Sequence, residues 1–273
     1  LNIAEGATIV SGSADAGMAG NISITVQNNL SMSGRREDDF VIPSSGIVIE
    51  NPQSSILSAA LNTGTAGNID INVGKQLDLA EGYIVASGRG EGDAGDVRIR
   101  AGNLNVTGNS AISSSSMGTG HSGDIHVEAD NLSITDGATI VSGSADTGMA
   151  GNIAITVRNN LLLSGRREKD FDIPFFEIVV ENPHSSIFSA ALSGLGGQID
   201  IESGNILITD EAGISSSSMG FGKSPNNISI QAENLSLTRG GQINNSNGIY
   251  AGNIFVSGFG QGSDINIRAE RLT

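Results

Sequence analysis

The chain repeats itself along its whole length. A small residue, a polar residue and a run of alternating apolar positions recur as "GNISITV" from Gly20, "GNIDINV" from Gly67, "GDVRIRA" from Gly95, "GDIHVEA" from Gly123, "GNIAITV" from Gly151, "GQIDIES" from Gly197, "NNISIQA" from Asn226 and "SDINIRA" from Ser263. Copies from Gly67 to Gly151 stand 28 residues apart, and three wider intervals mark units that carry insertions. A unit this short cannot bury an apolar face alone. Stacked on its neighbours it buries a continuous column, so a fixed period constrains the fold more tightly than local propensity does.

The unit that starts at Gly95 reads as three short strands, residues 96–100, 103–107 and 111–115, each alternating apolar and polar residues and each bounded by Gly, Asn or Ser. No segment keeps a helical period over two turns. The pattern predicts an all-β, right-handed parallel β-helix, a solenoid of about 28 residues and three strands per coil. Ile56, Ile84, Ile112 and Ile140 would then stack directly, joined by Ile9, Ile187 and Ile214. Two residues on, Ser11, Ser58, Ala86, Ser114, Ser142, Ser189 and Ser216 form a column of small side chains. Asn29, Asn103, Asn131, Asn160 and Asn234 form an expected amide ladder at one corner.

Composition fits a thin aliphatic core. There is no Trp, with 2 Tyr and 8 Phe against 38 Gly in 273 residues. A net charge of -15 excludes nucleic acid, because phosphate binding needs clustered Lys and Arg. Zero cysteines exclude disulfides, thiol chemistry and Cys-based zinc sites. No apolar run is long enough for a transmembrane helix, and "LNIAEGATIV" lacks the regions of a signal peptide. The expectation is a single β-helix segment over residues 1–273, cut in mid-coil at both ends, with a duplicated four-coil block at 4–134 and 135–262.

"LSITDGATIVSGSADTGMAGNIAITV" from Leu132, with "SSSSMGTGHSGDIHVEADNLSIT" from Ser113, resembles the β-helical repeats of filamentous-haemagglutinin-like exoproteins of bacterial two-partner secretion systems. The likeness covers the chain apart from its insertions and rests on repeat style, with no catalytic signature. It implies a large adhesin, secreted or held at the bacterial cell surface, that passes through an outer-membrane transporter during secretion. The implied partner is a cell-surface glycan or protein receptor.

Other motifs have plainer readings. Gly90, Gly92 and Gly95, and again Gly118, Gly120 and Gly123, match a nucleotide-binding pattern, yet each match leads into a strand where phosphate binding needs a helix N-terminus. They read as coil corners. Turn aspartates Asp93, Asp96, Asp124 and Asp264 are of a type that accepts calcium, but a solvated acidic turn is the plainer reading, and no cofactor and no metal are expected. His121, His126 and His184 show no metal or nucleophile spacing and read as surface residues. No catalytic residues stand out. Parallel β-helices also host polysaccharide lyases and glycoside hydrolases, so an enzyme stays open beside the adhesin, as does a passive stalk for a distant toxin or tip domain.

Two insertions, at about 35–53 and 166–184, say nearly the same thing: "SGRREDDFVIPSSGIVIENPQSS" and "SGRREKDFDIPFFEIVVENPHSS". Residues 4–61 and 135–192 are identical at 43 of 58 positions, which places both insertions at the same corner four coils apart. Each predicts a β-hairpin bent near Pro43 or Pro174 that covers one face of the stack. The candidate partner-binding residues are the cationic pairs Arg35, Arg36 and Arg166, Arg167, together with Phe175 and Phe176, where "SSG" has become "FFE".

Overall fold

A computed structural model describes residues 1–36, 40–41, 48–49, 53–167, 171–173, 178–180, 183–218, 227–246, 248–251, 254–257 and 263–273. Two parallel sheets make up the body, one of ten strands and one of eight, and no helix occurs among the described residues. The chain passes alternately between them. From Ile69–Ala80 in the larger sheet it enters Gly82–Gly90 in the smaller, returns in Val97–Thr107, crosses to Ala111–Ser116 and returns again in Ile125–Thr135. That order is compatible with a parallel β-helix.

The repeat period sets the register. Val97 pairs with Ile69 on one side and Ile125 on the other, and Leu104 with Leu77 and Leu132. In the smaller sheet Ile9, Ile56, Ile84, Ile112, Ile140, Ile187, Ile214 and Ile243 pair in succession. Ile56 through Ile214 are fully buried, and one core cluster draws on both sheets. Burying each such side chain contributes about 1.5–3 kcal/mol. The core is therefore long and thin, filled by aliphatic residues at a constant step.

The structure corrects the expectation of three separate strands per unit. The first two run on as one strand, as in Val97–Thr107, and only the first unit keeps them apart, as Ile22–Val26 and Asn29–Ser33. The alternation nevertheless slips at this point. Val97 and Ile99 are buried, then Leu104 and Val106, so the phase shifts across Gly102 and Asn103. Backbone pairing continues through a bend that the sequence shows as a Gly-Asn break.

Tight turns carry the chain from the larger sheet to the smaller. Asp136 and Gly137 both have positive φ, 58° and 86°, and the Ala138 amide donates to the Thr135 carbonyl at 3.2 Å. This two-residue primed turn is what Asp-Gly favours. Glu5-Gly6, Asp210-Glu211 and Arg239-Gly240 repeat the conformation.

Each insertion contains an antiparallel pair, Phe40–Val41 with Val48–Ile49 and Phe171–Ile173 with Ile178–Val180. Isolated antiparallel bridges pair Arg35 with Gln53 and Arg166 with His184. A third antiparallel pair, Gly248–Ala251 with Ile254–Ser257, follows the last strand of the smaller sheet. The widened spacing before Ser263 marked an insertion there without revealing its form.

Candidate functional site

Polar side chains are organised mainly by the stack itself. Ser114 Oγ donates to the Gly95 carbonyl and accepts the Gly123 amide, and Ser142 does the same between Gly123 and Gly151. Ser189 then joins Gly151 to Gly197, and Ser216 donates to Gly197. The small-residue column is thus a buried hydrogen-bonded staircase. Glycine is required on its other side: a Cβ on Gly123 would lie 2.4 Å from the Gly95 oxygen.

The amide ladder forms, with a different membership. Asn131 donates to Asn103, Asn160 to Asn131, Asn205 to Asn160 and Asn234 to Asn205, at 2.7–3.1 Å. Asn29 is not part of it, because its neighbour is Gln76, which turns its amide to Asp78. Asn205 was missed, although "SGNILIT" places it where "AGNLNVT" has Asn103.

The acidic turns build a further ladder. Asp96 Oδ1 accepts the Asp124 amide, Asp124 Oδ1 the Asn152 amide and Asp93 Oδ1 the His121 amide, while Asp96 Oδ2 meets Arg98 at 2.7 Å. The Asp264 amide donates to Asn227 Oδ1. Apart from the Arg98 ion pair, each of these contacts satisfies a backbone donor between rungs. Among the described residues no three His, Asp or Glu side chains converge as metal ligands would.

At the hairpin bases the two copies diverge. Arg35 and Arg36 are exposed; Arg166 is exposed and Arg167 half-buried. Arg166 and His184 approach Glu211 at 3.6 Å each. Burial pushes the His184 imidazole below its ordinary pKa against the opposing pull of Glu211, and the Arg166 charge adds to the lowering. His184 is therefore not the surface residue that sequence suggests. Among the described residues, Arg167 Nη1 and His184 Nδ1 are buried without a hydrogen-bond partner. Phe175 and Phe176 lie outside the described residues, as do the prolines of the expected bends.

One concave feature was not anticipated. An open groove of about 1180 Å³ follows the bend of the larger sheet across seven rungs, from Ile69–Ala80 to Ile265–Leu272. One flank is a column of exposed side chains, Arg100, Glu128, Thr156, Glu202, Gln231 and Arg268, in direct register. The other carries Asp130, Arg158, Glu233 and Glu270, and small residues such as Ala101, Ala129 and Ala232 lie between. Arg100 pairs with Glu128 through two hydrogen bonds, which raise the guanidinium pKa, and Arg158 pairs with Asp130. The sequence signal was the outward polar position before each bend, but only the bend makes those positions face a common trough.

The fold and these features define an all-β protein of two stacked parallel sheets, with lateral hairpins and one longitudinal groove. No family model, curated protein or solved structure matches the chain.

Proposed function

We propose that the chain is a rod segment of a large bacterial adhesin, secreted or surface-tethered, in which the two sheets wind as a right-handed parallel β-helix. The observation that carries this reading is the continuous register: the ten-stranded sheet advances through nine successive rungs. At roughly 4.8 Å per rung this gives a body about 40 Å long, stiffened by side-chain ladders inside and at the corners. A right-handed wind follows from the strong bias of parallel crossovers. Repetition on this scale supports a role in extension and display, and the sequence resemblance supports adhesion and export through an outer-membrane transporter.

The lateral hairpins serve partly as cover. On the smaller sheet the outward residues Leu57, Val85, Ser113, Ser115 and Val141 are buried as well as the inward ones. An outward apolar face in that condition needs chain laid against it, and the insertions leave the body beside this sheet. Small-angle scattering should return an elongated particle of the stated length. Beads coated with the chain should adhere to host cells, and Phe175→Ala with Phe176→Ala should lower that adhesion without lowering Tm. No adhesion of the parent chain to any cell or surface would leave the passive-stalk reading in its place.

The groove favours one second reading, a β-helix polysaccharide lyase or glycoside hydrolase, because it gathers carboxylates along an open trough. Release of new reducing ends from a polysaccharide panel would establish that reading over the non-enzymatic one.

A further inference from the structure

We propose that the groove along the bend of the larger sheet binds a linear polysaccharide carrying free amino groups, laid lengthwise across the rungs. The inference rests on the groove and its register, and it gives the adhesive reading a ligand class.

Periodicity comes first. The groove offers one outward polar side chain per rung on its first flank, from Asn72 through Arg100 and Glu128 to Arg268. These follow one another at roughly 4.8 Å. An extended β-1,4-linked hexose chain advances by nearly the same step per sugar with alternate sugars turned over, so each sugar meets one rung and the amino groups point to the two flanks in turn. An extended peptide advances roughly 3.3 Å per residue and falls out of step within two rungs. Six steps of this spacing give a track of about 29 Å, a length that suits a polymer better than a small molecule.

Charge selects among polysaccharides. The lining holds Arg100, Arg158 and Arg268 against Glu128, Asp130, Glu202, Glu233 and Glu270. Two arginines are already neutralised by Glu128 and Asp130. The remaining stretch, over Ile199–Thr209, Ile228–Leu237 and Ile265–Leu272, presents Glu202, Glu233 and Glu270 with Arg268, and none of the four has an ion pair among the described residues. With a net charge of -15 on the whole chain, an anionic polymer is repelled and a cationic one is drawn in.

Among the described residues no aromatic side chain lines the groove, so none of them offers a face on which a sugar can stack. Recognition has to come from charge-assisted hydrogen bonds, which ammonium groups on the sugar supply to carboxylates. Gln231 and Thr156 add neutral partners for hydroxyl groups on the intervening rungs.

The test is calorimetric titration of the full chain at near-neutral pH with three hexamers: β-linked oligoglucosamine, its fully N-acetylated form and, as the anionic polymer, an α-linked oligogalacturonate. Oligoglucosamine should bind, more weakly as salt rises, and shorter oligomers should bind less tightly. The triple variant Glu202→Gln, Glu233→Gln, Glu270→Gln should lose at least about tenfold in affinity, or ~1.4 kcal/mol, with an unchanged thermal melt because all three side chains are exposed. The proposal is overturned by no oligoglucosamine binding, by equal binding of the acetylated hexamer or the galacturonate, by an unaffected triple variant, or by equal affinity for an oligolysine of the same charge. If the groove fails these tests while chain-coated beads still adhere to cells, the adhesive reading stands and the groove proposal alone falls.

Discussion

Ser114 and Gly123 are joined by a buried hydrogen bond, the Gly123 amide donating to Ser114 Oγ at 2.8 Å. The same hydroxyl donates to Gly95, one rung back, at 2.9 Å. A serine inside a narrow aliphatic core is thereby satisfied on both sides, and its removal should leave two backbone groups unpaired.

Ser142→Ala should lower stability by about 1–3 kcal/mol, the usual penalty for orphaning buried polar groups, because Ser142 bridges the Gly123 carbonyl and the Gly151 amide. Ser58 is the control. It is fully buried in the same column, but its hydroxyl has no hydrogen-bond partner among the described residues. Ser58→Ala should be neutral or stabilising, since it removes a desolvated group that gains nothing in return. Urea melts of the two variants measure the contrast.

Gly123→Ala should unfold the middle of the stack or lower its stability by more than about 3 kcal/mol, beyond the ordinary overpacking range, because the new methyl would meet the Gly95 oxygen and carbon at 2.4 and 2.5 Å. Gly108 has φ +64° but nothing within 4 Å of an added Cβ. Gly108→Ala should therefore lose only about 1–2 kcal/mol, the local price of left-handed backbone. Limited proteolysis should cut the first variant within the stack and leave the second intact.

His184 should make stability fall in mild acid. Its folded-state pKa is pushed below the ordinary 6.5, mainly by burial. The folded protein then holds fewer protons at this site than the unfolded chain does, so stability rises with pH across the interval between the two values. The contribution is complete above 6.5 and is lost as pH drops below it. His184→Gln, which installs the residue found at Gln53 in the other copy, should flatten that part of the stability-against-pH curve. Tm measured for both proteins from neutral into mildly acidic buffer decides the point.

Arg100→Ala should change stability by less than about 0.5 kcal/mol despite two hydrogen bonds to Glu128, because both side chains are more than half exposed and exposed pairs contribute little. A larger loss by thermal melt would mean that the groove flank is part of the folding core.

Much of the architecture was legible from residues alone. Ile84 and Ile112 stand one period apart, and the structure pairs them. The same logic failed where local context overrode the period. Gln76 stands in the asparagine column but binds Asp78 in its own strand, and His184, polar and beside Pro183, is half-buried against Glu211 once the rungs stack.

The sequence by itself determined the strand register, the inward columns and the places where hairpins depart, because a side chain that alternates in a strand and recurs at a fixed period can occupy only one site in a stack. Tertiary structure decided that the two leading strands of every unit after the first fuse through a bend, that the outward face of the smaller sheet is also buried at its middle rungs, and that Arg100, Glu202 and Glu233 look into one groove. Those outcomes depend on the angle between strand halves and on what packs over a face. Neither is encoded in the spacing of apolar residues along a single strand.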